Sequence, residues 1–184
     1  MINNKYSFGN EIKYDIVEQS SINKKIIEDF SCGNEDIDKA IKNPNSNYKY
    51  KYFIDTELCK IIGFVAYCTS GIQFHYGKDI VTKSALEIGY FALDEYYQHI
   101  PYDKKDSKNF KLSDFLFCEM LAMFRTLSDT TIPFEYIKLF SVKKAVKFYK
   151  RNYFEEFNEF EHKSYITYDK HNYIDGCTPM FLTL

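Results

Sequence analysis

The stretch Ala145-Val-Lys-Phe-Tyr149-Lys-Arg-Asn-Tyr-Phe154 decides how the second half of the chain is interpreted. Its pattern predicts a short helix that carries Ala145, Phe148 and Tyr149 on one face, followed by a turn and a β-rich run. A tyrosine on the inner face of a short helix beside a sheet is either a core residue or an acid whose hydroxyl points into a cleft. The residues alone leave both interpretations of Tyr149 open.

Length and charge bound the class of protein. At 184 residues the chain is long enough for a substantial core, and we expect one domain over 1–184, with 1–11 as a loosely held arm. The 24 basic and 26 acidic residues nearly balance, giving a net charge of −2. This balance argues against a protein that binds nucleic acid mainly by neutralising phosphates.

Cysteine usage and hydropathy indicate the compartment. The five cysteines are scattered and form no CxxC pair, which is typical of reduced thiols in a cytoplasmic protein. The amino terminus has no apolar signal core, and no apolar run approaches the roughly 20 residues that span a bilayer. We therefore expect a cytoplasmic protein without membrane segments.

Periodicity and turn residues predict a mixed order of elements. The expected elements are strand 13–18, helix 22–30 after Ser21, helix 35–42 capped by Asn34, strands 48–54, 60–69 and 85–93, helix 113–127 capped by Ser113, strand 136–142, the short helix, strand 153–161, a polar loop over 162–176, and strand 179–184. Hairpins and crossovers in one chain indicate an α/β sheet covered by helices on both faces.

Five segments, in order and spacing, resemble the GNAT superfamily of acyl-CoA-dependent N-acetyltransferases. They are Phe30–Asp38 (similar to F-x-C-G-N-x-x-L-D of toxin-type members), Ile61–Phe64, Ile88–Asp94 (similar to L-G-x-L-A-V-D), Ala145–Phe154 (similar to A-x-x-F-Y-x-x-x-G-F) and Thr178–Leu184. The resemblance implies a GNAT fold, with a mostly antiparallel, twisted sheet of about six or seven strands.

The resemblance also implies roles for individual residues. Tyr149 corresponds to the general acid that protonates the departing thiolate of coenzyme A. The backbone groups of Phe91, Ala92 and Leu93 would bind the pantetheine arm and hold the thioester carbonyl. Glu87 is at the place of a base that takes the proton of the acceptor amine, although a solvent-facing strand end explains it as well. Acetyl-CoA would lie between the strands 85–93 and 136–142.

One family motif is broken in this sequence. Active members carry a glycine-rich loop whose N–H groups face the pyrophosphate at a helix N-terminus. Here Gln98 matches its first position, but the glycines are missing, Pro101 removes one N–H group, and the loop is longer by roughly ten residues. Two explanations remain open. In one, the helix start near Ser113 and the side chains of Lys104, Lys105, Lys108 or Lys111 hold the phosphates; in the other, the lysines are merely solvated and acyl-CoA binding has been lost.

Other candidate sites are weak. The four histidines have no metal-ligand spacing, so no metal site is expected. Cys68 and Cys118 lie in apolar patterns and are expected to be buried, inert thiols. The run Tyr48-Lys-Tyr-Lys-Tyr-Phe53 fits either an amphipathic outer strand or a surface that contacts RNA.

Three hypotheses follow. The first is an N-acetyltransferase that passes an acetyl group from acetyl-CoA to a small-molecule or protein amine by direct attack. The second is a non-catalytic GNAT-fold binding or regulatory protein. The third is a toxin of a toxin–antitoxin pair that acetylates aminoacyl-tRNA, against which the lack of net positive charge counts. A homodimer is compatible with each, and the acceptor is not readable because acceptor pockets in this fold come from variable loops.

Overall fold

A computed structural model describes residues 6–8, 12–76, 78–102, 110–157, 162–165 and 176–184, with the backbone alone at 6–8 and 162–165. The strands are β1 (Tyr6–Phe8), β2 (Ile12–Glu18), β3 (Lys49–Asp55), β4 (Lys60–Tyr76), β5 (Asp79–Leu93), β6 (Tyr136–Ser141), β7 (Glu155–Glu156), β8 (His162–Tyr165) and β9 (Thr178–Thr183). The helices are α1 (Lys24–Glu28), α2 (Glu35–Lys42), α3 (Leu112–Thr130) and α4 (Val146–Arg151). Seven of the described strands have four or more residues, in agreement with the expected six or seven.

The residues fall into two compact units. The first unit comprises 1–66 and 90–120, and the second comprises 67–89 and 121–184. The single domain over 1–184 stays a prediction. The expected arm over 1–11 falls mostly on 1–5 and 9–11, outside the described residues, whereas β1 between them pairs with β2.

In the first unit, helices cover both faces of the sheet, as predicted. Neighbouring residues of a strand point to opposite faces. Tyr52 of β3 belongs to a core cluster with Phe30 and with Ile41 of α2. The next residue, Phe53, contacts the ring of Tyr14, which in turn meets a ring of α3. The helices α2 and α3 therefore lie on opposite faces of this part of the sheet.

In the second unit, one parallel pair is set among antiparallel ones. The strands β5 and β6 pair in parallel, whereas β9 is antiparallel to both β6 and β7, and β8 is antiparallel to β4. The pairs β1–β2 and β2–β3 of the first unit are antiparallel as well. The mixed, mostly antiparallel sheet is therefore confirmed.

Several predicted boundaries were wrong for local reasons. The first helix is shorter than 22–30, because the side chain of Asn23, and not Ser21, accepts the capping bond, from the N–H of Lys25 at 3.0 Å. Strand β4 continues to Tyr76, beyond its apolar run, because it forms a long hairpin with β5. The loop expected over 162–176 contains β8, which gains its hydrogen bonds from β4.

Two further expectations failed in part. The strand expected over 153–161 is limited to β7 among its described residues, and 158–161 lie outside them. Cys118 is exposed and Cys68 is only half-buried, so neither is the fully buried thiol that its apolar surroundings in sequence predicted. Cys118 lies on the solvent-facing side of α3, whereas residues such as Phe117 and Met120 form its buried side.

Candidate functional site

Tyr149 is positioned by the cap at the C-terminal end of α4. The N–H of Tyr153 donates to the carbonyl of Lys150 at 3.1 Å, and the N–H of Phe154 donates to the carbonyl of Tyr149 at 3.1 Å. These two bonds form a Schellman motif, which needs a left-handed residue after the C-cap, and Tyr153 has φ +68°. The motif brings the buried ring of Phe154 to 5.8 Å from the ring of Tyr149. Tyr149 is thus half-buried and held by packing on one side.

The surface around α4 is basic. Five exposed cations lie between positions 143 and 151: Lys143, Lys144, Lys147, Lys150 and Arg151. Arg151 lies over the ring of Phe148, 5.0 Å from its centre, and Lys150 forms an ion pair with Glu156 at 2.6 Å. We call these five residues the α4 basic surface. The near-zero net charge of the chain therefore hides a local concentration of positive charge on α4, which carries Tyr149, and on the turn before it.

Glu87 is not a solvent-facing strand end. Its Oε2 lies 3.1 Å from Nζ of Lys138 on β6, and Oγ of Ser70 donates to the same oxygen at 3.2 Å. The side chains of Lys138 and Glu87 are 1% and 15% exposed. Burial lowers the pKa of the Lys138 ammonium, while the Glu87 carboxylate opposes that shift. The arrangement is a mostly buried ion pair with a hydroxyl fixing the carboxylate.

Sequence reasoning missed Lys138. The signal was a single lysine inside the apolar strand Tyr136-Ile-Lys-Leu-Phe-Ser141, at a position that the pattern of neighbours predicts to be inward. A buried lysine needs a partner, and Glu87 is directly opposite it in the parallel register. That register ends one residue later, at Ile88↔Leu139, while β6 continues to its end without a β5 partner among the described residues.

The carboxyl end of β5 presents alternate backbone groups to opposite sides. The N–H of Asp94 donates to the carbonyl of Ile62 on β4 at 2.9 Å, so the backbone groups of Ala92, two residues earlier, face β4 as well. In agreement, a Cβ added to Gly63 would lie 2.7 Å from the carbonyl oxygen of Ala92, so this position requires glycine. The backbone groups of Phe91 and Leu93 face the other edge.

Gln98 fastens the turn at 31–34 to the end of β5. Its Nε2 donates to the carbonyl of Cys32 and to the carbonyl of Leu93, each at 3.0 Å. The same turn is bound by Asp38, whose Oδ1 accepts from the N–H of Cys32 at 2.8 Å. Burial raises the pKa of the Cys32 thiol to about 12. Much of the toxin-like segment Phe30–Asp38 thus has a structural use in this chain, and its cysteine is a poor nucleophile.

The start of α3 is already hydrogen-bonded. Ser113 is not the N-cap that the sequence predicted, because the helix begins one residue earlier. The N–H of Leu112 donates to the carbonyl of Ile100 at 2.9 Å, and the N–H of Lys111 donates to Oδ2 of Asp114 at 3.0 Å. Asp114 is 3% exposed and places a carboxyl group in the first turn. These bonds use N–H groups that a pyrophosphate at this helix would need.

The remaining candidates yield little. Lys104, Lys105 and Lys108 lie outside the described residues. Within the described ranges, no group of three or more His, Cys, Asp or Glu residues is placed to hold a metal ion. None of the helices in the described part of the chain combines the length and hydropathy that a membrane crossing needs.

These features define the class of fold. A mixed, mostly antiparallel sheet that contains a parallel pair and is accompanied by helices is the arrangement of the GNAT fold. Comparison with solved structures supports this: the chain is similar to a structure described as a bacterial toxin, with a TM-score of 0.70, 19% identity and coverage of 94% of this chain and 92% of the other.

Two structures of the toxin AtaT are similar as well. A tyrosine-to-phenylalanine mutant of AtaT matches with a TM-score of 0.68 and 13% identity, over 98% of this chain and 94% of the other. AtaT complexed with acetyl-methionyl-tRNAfMet matches with a TM-score of 0.60 and 15% identity, over 83% and 94%. No family model and no curated protein matches the sequence.

Proposed function

We propose that this protein is an acetyl-CoA-dependent N-acetyltransferase whose acceptor is the α-amino group of aminoacyl-tRNA. The observation that carries the proposal is the α4 basic surface around Tyr149, on a fold similar to that of AtaT in its complex with acetyl-methionyl-tRNAfMet. Local positive charge is what an RNA substrate requires, and it removes the objection from net charge. Within the described part of the chain, no comparable feature favours a small-molecule or protein acceptor.

In the proposed reaction, the neutral amine nitrogen attacks the carbonyl carbon of the acetyl thioester. A C–N bond forms and the C–S bond breaks, and the hydroxyl of Tyr149 gives its proton to the departing sulfur. The proton that the nitrogen loses passes to the carboxylate of Glu87, directly or through water, and solvent restores both groups. Lys138 and Ser70 would hold that carboxylate in one orientation.

For acetyl-CoA we propose recognition mainly at the pantetheine arm. The backbone groups of Phe91 and Leu93 face away from β4 and can bind its amides, whereas those of Ala92 are turned toward β4. The carbonyl of Leu93 already accepts from Gln98, so Gln98 acts as a support of this strand. The pyrophosphate would depend on the lysines of the 103–111 segment, including Lys111, in place of a glycine cradle.

The first test is acetylation of a purified aminoacyl-tRNA pool with radiolabelled acetyl-CoA. Tyr149→Phe keeps the ring against Phe154 but removes the acid, so kcat should fall by about 10²–10⁴-fold with little change in acetyl-CoA affinity. Tyr52→Phe is the matched control, because its buried hydroxyl has no hydrogen-bond partner among the described residues. Equal activity of Tyr149→Phe and wild type would show that Tyr149 has only a packing role. Growth arrest on expression tests the toxin assignment.

A second candidate function is a non-catalytic binding or regulatory protein. It is favoured by the start of α3, where Ile100 and Asp114 occupy N–H groups that an acyl-CoA enzyme of this fold would use. Titration calorimetry with acetyl-CoA separates the two. Absence of heat and of any thermal shift at millimolar ligand would remove the enzyme and leave the binding protein.

A further inference from the structure

Tyr153 has an unusual combination of backbone and side-chain properties. Its φ of +68° lies in the left-handed region that the Schellman motif imposes and that favours glycine. A tyrosine here carries steric strain that glycine would avoid. Its side chain is nevertheless the most exposed of the large hydrophobic residues in the described part of the chain, at 83%. Packing within its own unit therefore does not explain why an aromatic ring is present at this position.

Other exposed aromatic rings have intramolecular partners. Tyr96 packs edge-on against Tyr97, with ring centres 4.9 Å apart, and Tyr76 stacks with Phe74 at 6.5 Å. Phe110 meets Tyr102 at 5.4 Å. Among the described residues, no ring contact is found for Tyr153. With 83% of the residue exposed, most of its ring surface is accessible to a ligand.

Exposed cations precede Tyr153 in the chain and exposed Glu155 and Glu156 follow it. Glu156 pairs with Lys150, and the cations Lys147 and Arg151 indicate an anionic ligand. Tyr153 follows directly on the α4 basic surface, with Lys147 and Arg151 exposed on the helix that ends two residues before it. An open aromatic face beside cations is the combination that binds single-stranded nucleic acid, in which a base stacks on the ring while cations contact the phosphates. Tyr153 is four positions after Tyr149, and the same capping turn fixes both.

We infer that the ring of Tyr153 stacks on a nucleobase at the single-stranded 3′ end of the RNA acceptor. This inference rests on the proposed function and adds a residue that positions the acceptor, separate from the acid that acts on the thioester. It explains an exposed tyrosine where the backbone favours glycine, because the ring is used only in the complex.

The experiment compares Tyr153→Gly and Tyr153→Phe with the wild-type chain. Fluorescence anisotropy measures binding to end-labelled tRNA and to a short single-stranded RNA ending in CCA. Tyr153→Gly should weaken both affinities by about 5- to 100-fold, and Tyr153→Phe, which keeps the stacking face, by less than about twofold. The melting temperature of Tyr153→Gly should not fall, because glycine suits the left-handed backbone.

Salt dependence separates stacking from charge. Tyr153→Gly should leave the slope of log affinity against log salt concentration unchanged. Lys147→Ala should reduce the magnitude of that slope by about one, which corresponds to one phosphate contact. If the wild-type chain binds RNA and Tyr153→Gly binds it equally tightly, the inference is overturned and the proposed function still stands. Failure of the wild-type chain to bind tRNA would overturn both. An unchanged KM for acetyl-CoA in Tyr153→Gly is expected, and a raised one would count against a role confined to RNA.

Discussion

The ion pair of Lys138 and Glu87 gives the sharpest stability prediction. Lys138→Met removes one partner and leaves the carboxylate 15% exposed, with the Ser70 hydroxyl as its remaining polar contact from this cluster. Breaking a buried pair from one side costs about 3–5 kcal/mol. For a chain of this length, each kcal/mol corresponds to about 2–4 °C in Tm. We therefore expect Tm to fall by about 6–20 °C.

The double variant Lys138→Met with Glu87→Leu should recover most of that loss. Replacing both charges by apolar groups removes the desolvation penalty together with the attraction. The exposed pair Lys83–Glu135, with atoms 3.0 Å apart in the same unit, is the matched control. Lys83→Met should lower Tm much less than Lys138→Met does, because solvent screens that pair.

The pH dependence has a definite sign. Burial lowers the pKa of Lys138 from its ordinary value of 10.5. Below that value the unfolded chain holds more protons than the folded one, so this group makes stability rise with pH as pH approaches 10.5. The free energy of unfolding, measured by urea titration at pH values from 8 to 10, should show this contribution in the wild type. Lys138→Met should lack it. A Lys138→Met variant no less stable than Lys83→Met would refute the buried-pair reasoning.

Three further predictions concern the first unit. Tyr97→Phe removes the 2.8 Å bond to the buried carboxylate of Asp55 and should cost about 1.5–3 kcal/mol in urea unfolding, and a loss below 0.5 kcal/mol would contradict that bond. Asn34→Ala removes the N-cap of α2 and should cost about 1 kcal/mol, while Asn34→Ser should restore most of it. Asp114→Asn should lower stability by about 0.3–1 kcal/mol, because a carboxylate in the first turn interacts favourably with the helix dipole. The same change should raise the affinity for acetyl-CoA measured by calorimetry. Unchanged affinity would place the pyrophosphate away from α3.

Local signals in the sequence predicted much of the architecture. The cap at Asn34, the apolar run that became β4 and the final strand were predicted because each depends on neighbours a few residues away. Ser113 failed for an instructive reason. Several residues near a helix start can cap it, and the bond between Lys111 and Asp114 decided among them.

The candidate site was predicted less completely. The sequence indicated Tyr149 through the pattern of its helix, and the cap around Tyr153 supplies the physical reason for its position. Gln98 was assigned to the cofactor loop by its place in the chain. Its side-chain amide instead donates a hydrogen bond to the carbonyl of Cys32, which is 66 residues distant. No local pattern encodes such a partner.

By itself, the sequence determined most of the order of the longer strands and helices, including the short helix that carries Tyr149, because propensity, capping and periodicity act over a few residues. Only the tertiary structure decided which polar groups are already paired. Lys138 meets Glu87 because β5 and β6 are aligned in one register, and the start of α3 is occupied because Ile100 folds back onto it. Residues far away in the chain determine whether a buried charge is paired and whether an N–H group at a helix start is available to a ligand.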